Sequence, residues 1–146
     1  MVPCGGGGLI SGTALALHEK MPDCDIYGVE PADFDDTLRS LRSGRIEKID
    51  PDARSICDAL LSPYPGDITF TLNRRLLHDI VTVSDDEVRQ AMKLTFLHLK
   101  LVVEPGGCVG LAALQSGKIE FSGQTVVVIL SGGNVDPGQY ARIVSA

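Results

Sequence analysis

The sequence predicts an α/β fold built on a parallel, doubly wound sheet. Segments with strand character alternate along the chain with segments of helical periodicity, which is typical of a parallel sheet with helices on its faces. Thr125–Leu130 is a continuous β-branched and aliphatic run, as expected of a strand buried on both faces. Folds of this class bind their ligands at the carboxyl ends of the strands, where this chain carries glycines and small polar residues.

The composition indicates one globular domain. The 146 residues are 44% apolar and 22% charged, which is enough apolar material for a core. The net charge of −6 and the scattered Lys and Arg residues argue against nucleic acid as a partner. No apolar run reaches the roughly eighteen residues of a membrane span, so no membrane partner is expected. The N-terminus shows no secretory signal.

The cysteines indicate a reducing compartment. They are widely spaced and form no CxxC pair: Cys4, Cys24, Cys57 and Cys108. Together with the three histidines they form no recognisable zinc site. We therefore expect free thiols and a cytoplasmic location.

The first half of the chain is predicted to contain two helices and a strand. A helix follows the glycines and runs to about Met21, and the strand Asp25–Glu30 comes next. The second helix spans Ala32–Gly44 and carries several carboxylates in its first turn, where the helix dipole favours them. Arg45–Pro65, which is broken by prolines, receives no assignment.

The next segments give a helix and a strand. The helix spans Asp67–Leu77, with Ile68, Leu72 and Leu76 on one apolar stripe. The strand Asp79–Val83 follows it.

Two further helices are predicted in the second half. A capping box at Ser84–Glu87 begins the longest helix of the chain. Its core face is predicted to carry Val88, Ala91, Met92, Thr95, Phe96 and Leu99. A helix rich in small residues then spans Cys108–Gln115, and the strand Thr125–Leu130 delivers the chain to Ser131–Asn134.

The glycines Gly5–Gly8 are interpreted as a phosphate cradle. Residues without Cβ adopt backbone angles that are closed to others, so successive N–H groups can turn toward one anion, and the following helix adds the positive end of its dipole. The alternative is a flexible linker. The apolar residue pair before the glycines and the helix directly after them favour the cradle, although they do not identify its ligand.

Five motifs in order complete the pattern: Val-Pro-Cys-Gly-Gly-Gly-Gly-Leu, Val-Glu-Pro, Thr-Val-Ser-Asp-Asp-Glu-Val, Val-Val-Glu-Pro-Gly-Gly and Leu-Ser-Gly-Gly-Asn-Val-Asp. With them the chain resembles the C-terminal half of a threonine/serine dehydratase or serine racemase, of the fold-type II pyridoxal-phosphate enzymes. The resemblance covers essentially the whole chain. It implies that residues 1–146 are part of the large domain of a tryptophan-synthase-β-like fold.

The resemblance also implies a cofactor site for pyridoxal 5′-phosphate. The cofactor phosphate would be held by the backbone of Gly5, Gly6, Gly7, Gly8 and Leu9. Ser131 would hydrogen-bond the pyridine nitrogen, and Glu104 would lie near the cofactor. Considered alone, Ser131 is also a plausible turn residue after a strand, and Glu104 a plausible solvent-facing turn residue.

A divalent-cation site is implied in the same way. In family members that have one, the ligands match Glu30, the backbone carbonyl of Phe34, and Asp36. Such oxygen ligands suit Mg²⁺, Ca²⁺ or Mn²⁺. The alternative is that Asp33, Asp35 and Asp36 complement a helix N-terminus without any ion.

One family feature is missing from the sequence. The cofactor-bearing lysine of the family lies in a Ser-x-Lys-x-Arg-Gly context, and no lysine here does: Lys20, Lys48, Lys93, Lys100 and Lys118. No catalytic residue is therefore assigned to this chain. We expect the chain to be a fragment or one piece of a split enzyme, with a missing N-terminal half and a homo-oligomeric parent as its partners.

The implied activity is elimination of water from threonine or serine, which gives a 2-oxo acid and ammonia. Serine racemase is a close alternative, and cysteine-synthase-type β-replacement a more distant one. A non-catalytic module that binds a phosphate ligand or mediates oligomerisation is the alternative outside enzymology. The isolated chain is expected to be inactive.

Overall fold

The sheet consists of three parallel strands. The structure, a computed structural model, describes all 146 residues. The strands lie in the order β1 (Val2–Pro3), β2 (Tyr27–Pro31) and β3 (Asp79–Val83). Val2 lies opposite Gly28, which in turn lies opposite Ile80. Because all strands run in the same direction, their carboxyl ends lie along one edge of the sheet.

Six α-helices accompany the strands: α1 (Gly8–Lys20), α2 (Asp36–Ser43), α3 (Asp67–Leu76), α4 (Asp85–Leu94), α5 (Pro105–Gln115) and α6 (Pro137–Ser145). A short 3₁₀ turn spans Asp58–Leu60, and a π-helical segment spans Thr95–Leu99. No helix combines the length and apolar character that a membrane crossing requires.

Helices cover both faces of the sheet. On one face, Ile10 of α1 belongs to a buried cluster with Ile80 of β3. On the other, Met92 of α4 and Val109 of α5 share a larger cluster with Val29 of β2. Two separate cores on opposite faces define a doubly wound sheet, so the predicted fold class is confirmed.

The segment Thr125–Leu130 does not form the predicted strand buried on both faces. It runs beside β1, where the Met1 amine donates to the Val127 carbonyl at 2.8 Å and the Ile129 amide donates to the Met1 carbonyl at 3.1 Å. No regular strand is formed, and Val127 is 69% exposed. The prediction was wrong because β-branched composition reports local propensity, whereas burial needs neighbours on both sides.

Helix α3 turns a different face inward from the one predicted. Ile68 is 77% exposed, and Leu72 and Leu76 are only half-buried. The buried positions are Phe70 and Asn73. The apolar stripe was wrong because α3 packs against α1 and the glycines before it, and that neighbour offers polar backbone groups as well as apolar side chains.

The capping box that begins α4 is confirmed. The Ser84 side chain accepts from the Glu87 amide, and the Glu87 side chain accepts from the Ser84 amide at 2.7 Å. The helix is not the longest, because α1 has 13 residues and α4 has 10 before the π-helical segment begins.

The π-helical segment also changes which residues of this region are buried. Val88, Ala91, Met92 and Thr95 are buried as predicted, whereas Phe96 is 40% and Leu99 51% exposed. A π-helical turn contains more residues than an α-helical turn, so the apolar stripe rotates away from the core after Thr95.

Several helix boundaries differ from the prediction. Helix α2 begins at Asp36, so Asp33 and Asp35 precede it and only one carboxylate lies in its first turn. Helix α5 begins at Pro105, three residues earlier than expected. Helix α6 was not predicted, although the Asp136 side chain caps it by accepting from an amide of its first turn.

Candidate functional site

The glycine loop, defined as Gly5–Gly8, lies at the carboxyl end of β1 and leads into α1. Gly7 occupies the cap position of α1 with a φ of +90°, and the Ser11 amide donates to its carbonyl at 2.9 Å. No side chain caps this helix end, and no acidic residue lies in its first turn. The positive end of α1 is therefore open to an anion.

The amides of the glycine loop have no acceptors within the chain. None of Gly5, Gly6 and Gly7 donates to a backbone carbonyl. The first-turn amides of α1 have no helical acceptor either, because of helix geometry. Gly5 and Gly6 are half-buried and Gly8 is exposed, so these free donors are accessible to a ligand with several acceptor atoms.

The carbonyl of Gly6 is fixed on the opposite side of the loop. It accepts from the Thr69 hydroxyl at 2.7 Å and from the Gly66 amide at 3.3 Å, both at the start of α3. The C=O and N–H of a trans peptide point in opposite directions. The amide of Gly7 therefore points away from α3.

A second loop, defined as Ser131–Asn134, lies beside the N-terminus of α5. The Glu104 amide donates to the Gly132 carbonyl at 2.9 Å, and Glu104 Oε2 accepts from the Asn134 amide at 3.1 Å. The predicted site residue Glu104 thus holds the second loop in place. The Ser131 side chain is exposed and makes no hydrogen bond.

Leu60 lies between the glycine loop and the N-terminus of α5. Its Cα lies 3.1 Å from the point that a side-chain carbon on Gly5 would occupy, and its Cγ lies 3.2 Å from the same point on Gly106. A side-chain carbon on Gly107 would lie 2.9 Å from the Gly132 carbonyl oxygen. The glycine loop, the N-terminus of α5 and the second loop are therefore brought to the same edge of the sheet by contacts that only small residues allow.

Glu30 lies fully buried near the end of β2. Its two carboxylate oxygens accept from the amides of Thr37 and Leu38, each at 3.0 Å, in the first turn of α2. Burial raises the pKa of Glu30 to about 8, although these two amides oppose the shift.

Asp36 places a second buried carboxylate in the same region. It is 1% exposed, and neither of its carboxylate oxygens has a hydrogen-bond donor. Burial raises the pKa of Asp36 to about 7. Arg39, the cation of α2 nearest in sequence, donates to Asp35 at 2.7 Å instead. An unpaired buried carboxylate costs free energy, which a bound cation would offset.

Residues 1–132 match the family model described as pyridoxal-phosphate dependent enzyme. The chain belongs to this family. The L-threo-3-hydroxyaspartate ammonia-lyase of Pseudomonas sp is 46% identical over 143 residues, which cover 98% of this chain and 44% of that protein. The serine racemase of Schizosaccharomyces pombe is 40% identical over 141 residues, which cover 97% and 43%.

A solved member of the pyridoxal-phosphate family has the same fold. The threonine deaminase of T.th. superposes with a TM-score of 0.87 at 38% identity, over 92% of this chain and 49% of that one. The chain thus spans less than half the length of these relatives.

The family's cofactor fits the glycine loop. Its phosphate needs several donors at one point, and the loop has free amides, the open positive end of α1 and no competing acid. Leu9, the remaining predicted cradle residue, is in the first turn of α1 and is 47% exposed. Its amide belongs to the same set of free donors.

Only some of the residues predicted to bind a cation are arranged as an ion would need. No group of three or more His, Cys, Asp or Glu side chains lies together in a way that could hold a metal. The predicted set needs only the Glu30 and Asp36 carboxylates with the carbonyl of the buried Phe34. The donorless oxygens of Asp36 favour an ion, whereas both Glu30 oxygens already accept amides. The site therefore stays a prediction.

No lysine forms a hydrogen bond with either loop. The Lys48 ammonium lies over the Tyr64 ring, and Lys93 and Lys100 donate to the carbonyls of Ala146 and Leu97. Lys118 donates to Glu87, and Lys20 is exposed at the end of α1.

Sequence reasoning missed the residues that support the glycine loop from behind. Thr69 holds the Gly6 carbonyl, and Leu60 fills the space next to Gly5. Asn73 is a buried polar residue of α3 that reaches the first turn of α1. Only the polar identity of Thr69 and Asn73 in an otherwise amphipathic helix could have indicated them.

Gly7→Ala should destabilise the fold strongly. A Cβ at position 7 would lie 2.8 Å from Thr69 Cβ, and a φ of +90° is strained for alanine. Together these effects should lower the free energy of unfolding by about 2 kcal/mol or more. Gly8→Ala is the matched control, because its Cβ would meet no atom within 4 Å. Equal urea midpoints for the two variants would contradict this account of the loop.

Asp36→Asn should remove part of the pH dependence of stability in metal-free buffer. A pKa raised from 3.8 to about 7 means that the folded state keeps a proton that the unfolded state loses. The free energy of unfolding of the wild type should therefore fall as pH rises from about 4 to 7. Across that range, the free energy of unfolding of the variant should rise relative to that of the wild type, by about 4 kcal/mol at most.

Asp33→Asn is the control for this pH dependence, because Asp33 is exposed three residues earlier. Denaturant titrations at pH 4, 5.5 and 7 measure both variants. A constant difference between Asp36→Asn and the wild type at all three pH values would show that Asp36 does not titrate in this range.

Proposed function

We propose that this chain is the phosphate-binding part of a pyridoxal-phosphate-dependent ammonia-lyase that eliminates water from threonine or serine. The free amides of the glycine loop at the N-terminus of α1 are the observation that carries the proposal. The hydroxyaspartate ammonia-lyase and threonine deaminase relatives support it. All three amino acids, threonine, serine and 3-hydroxyaspartate, carry a hydroxyl group on the β-carbon.

When bound, pyridoxal phosphate supplies an electron sink that stabilises negative charge on the substrate's α-carbon. The chain's own contribution is to bind and orient. The amides of Gly5–Gly8 and Leu9 hold the phosphate, and they need no side chain or counter-ion to do so.

Ser131 sets the protonation of the pyridine nitrogen in this proposal. Its hydroxyl is neutral, so it offers a hydrogen bond without the negative charge that would hold a proton on that atom. Glu104 holds the second loop in the position that this contact needs, through its hydrogen bonds to Gly132 and Asn134. A neutral partner at this position favours expulsion of the β-hydroxyl over reactions that need a long-lived carbanion.

A further part of the enzyme must supply the lysine. Because no lysine of this chain lies in the family's lysine motif or forms a hydrogen bond with either loop, we propose that an N-terminal part carries it and completes the active site. The isolated chain should then be inactive, and the complete enzyme should form the homo-oligomer that the resemblance implies.

Serine racemase is the second candidate function. The 40% identity to the Schizosaccharomyces pombe enzyme supports it, and racemisation requires the same cofactor, the same phosphate cradle and the same abstraction of the α-proton. The two candidates differ in the fate of the β-hydroxyl, which only a product analysis can distinguish.

The activity test is a product panel. The complete enzyme, incubated with threonine, serine or 3-hydroxyaspartate, should release one ammonia per 2-oxo acid formed. The 146-residue chain with cofactor should give no product above the rate of cofactor alone. Conversion of L-serine to D-serine without 2-oxo acid would favour the racemase. Product from the isolated chain would refute the claim that its lysine is missing.

We also propose that Glu30, the carbonyl of Phe34 and Asp36 bind Mg²⁺ or Ca²⁺. The ion would offset the repulsion between two buried carboxylates and would supply the donorless oxygens of Asp36 with a partner. Its role would be to stabilise the turn between β2 and α2. No step of the reaction passes through it.

Thermal melting tests the cation site. At an ion concentration of about 100 times Kd, binding should stabilise the chain by about 2.7 kcal/mol and raise Tm by several degrees above that in EDTA. Asp36→Ala should abolish the rise, and Asp33→Ala should keep it. An unchanged Tm of the wild type at millimolar Mg²⁺ and Ca²⁺ would leave Asp36 as a residue of the helix N-terminus only.

A further inference from the structure

Helix α3 presents polar side chains to the back of the glycine loop. Thr69 donates to the Gly6 carbonyl at 2.7 Å. One turn later, Asn73 is 1% exposed and its Oδ1 accepts from the hydroxyl of Ser11, itself 3% exposed, at 2.8 Å. Buried polar groups are costly unless they are hydrogen-bonded, and these two side chains find their partners in the glycine loop and the first turns of α1.

The hydrogen bond from the Thr69 hydroxyl fixes the orientation of the peptide between Gly6 and Gly7. Because the Gly6 carbonyl is held toward α3, the amide of the same peptide, on Gly7, is held toward the opposite side. Without the Thr69 hydroxyl, only the longer hydrogen bond from the Gly66 amide, at 3.3 Å, would hold this peptide, and glycine on both sides leaves the backbone angles open. The loop would then present its amides in several directions, and ordering them would reduce the affinity for an anion.

Asn73 is the only asparagine or glutamine side chain with a buried nitrogen that lacks an acceptor. That nitrogen, Nδ2, lies 3.0 Å from the point that a Cβ on Gly7 would occupy. Ser11 binds the oxygen end of the amide, so the positive end of its dipole is directed at the loop. In a buried environment such a dipole acts on a nearby anion with little screening.

We propose that Thr69 and Asn73 are positioning residues for the cofactor phosphate: Thr69 sets the direction of the Gly7 amide, and Asn73 places a positive dipole end behind the loop. The inference rests on the proposed function, because it assumes that the loop holds a phosphate. Neither residue is expected to touch the cofactor. Their effect should therefore appear only in the part of the affinity that the phosphate supplies.

Pyridoxamine 5′-phosphate and pyridoxamine are the probes that isolate this part. They differ only in the phosphate, and neither has the aldehyde that would react with surface lysines. Calorimetric titration of the full 146-residue chain with each probe gives two Kd values. The Kd for pyridoxamine divided by that for pyridoxamine 5′-phosphate, called the phosphate ratio below, measures the contribution of the phosphate.

Thr69→Val should raise the Kd for pyridoxamine 5′-phosphate about fivefold to tenfold and leave that for pyridoxamine unchanged. Thr69→Ser retains the hydroxyl and should restore the wild-type phosphate ratio. Thr71→Val is the matched control, because Thr71 lies on the exposed face of the same helix and bonds only to the Asp67 carbonyl of that helix. It should leave the phosphate ratio unchanged.

Asn73→Asp tests the dipole separately. The variant keeps an oxygen for Ser11 and replaces the amide nitrogen by a carboxylate oxygen, so the Kd for pyridoxamine 5′-phosphate should rise at least about tenfold. Circular dichroism and urea midpoints check that each variant is folded. If Asn73→Asp does not fold, Asn73→Ser, which removes the amide dipole, should still lower the phosphate ratio.

The outcomes distinguish the positioning role of Thr69 and Asn73 from the phosphate site itself. If the wild type binds pyridoxamine 5′-phosphate better than pyridoxamine but the α3 variants keep its phosphate ratio, the positioning role is wrong and the phosphate site stands. If the wild type binds both probes equally or not at all, the proposed phosphate site fails and the positioning role fails with it. Equal weakening of both probes by Thr69→Val would show a structural effect only and would overturn the inference.

Discussion

A buried backbone amide without an acceptor is costly, and the glycine loop contains several amides that have no acceptor within the chain. The loop keeps this conformation because its surroundings fix it from every side. Thr69 holds a carbonyl, Leu60 fills the space beside Gly5, and Gly7 takes a φ of +90° that other residues resist. The remaining features of the site depend on this loop, since they are useful only if its amides face one point.

The glycine loop and the buried carboxylates are connected through adjacent strands. Cys4 lies between β1 and the glycine loop, and its amide donates to the Val29 carbonyl of β2 at 2.9 Å. Its thiol lies 3.5 Å from the Thr37 hydroxyl, and the Thr37 amide donates to Glu30. The cradle and the carboxylate pair are therefore two parts of one edge of the sheet. Parallel strands bring this about by ending side by side.

The sequence was sufficient for the elements whose signal is local. The capping box at Ser84–Glu87 depends on neighbouring residues, and it lies where the sequence indicated. The motifs that carry the family resemblance are also runs of neighbouring residues, and two of them contain the glycine loop and the second loop. Elements that depend on what packs against them were less accessible. Ile68 and Val127 have apolar side chains of the kind found in a core, but both are largely exposed because no neighbouring residue covers them.

The residues that support the glycine loop from behind were the least predictable from the sequence. Thr69 and Asn73 matter because α3 happens to lie behind the glycine loop, which is a property of the tertiary fold and leaves no pattern in the local sequence. The rotation of the apolar face after Thr95 has the same character, because the π-helical segment is not signalled by hydrophobic periodicity.

The central claim is that the amides of the glycine loop bind a phosphate, and amide NMR of the ¹⁵N-labelled chain tests it most directly. On addition of pyridoxamine 5′-phosphate, the resonances of Gly5–Gly8 and Leu9 should shift. Those of Gly44, Gly117 and Gly123, which also have positive φ but lie away from the loop, should not. Shifts confined to residues outside the two loops, or no shifts at a saturating concentration, would contradict the account.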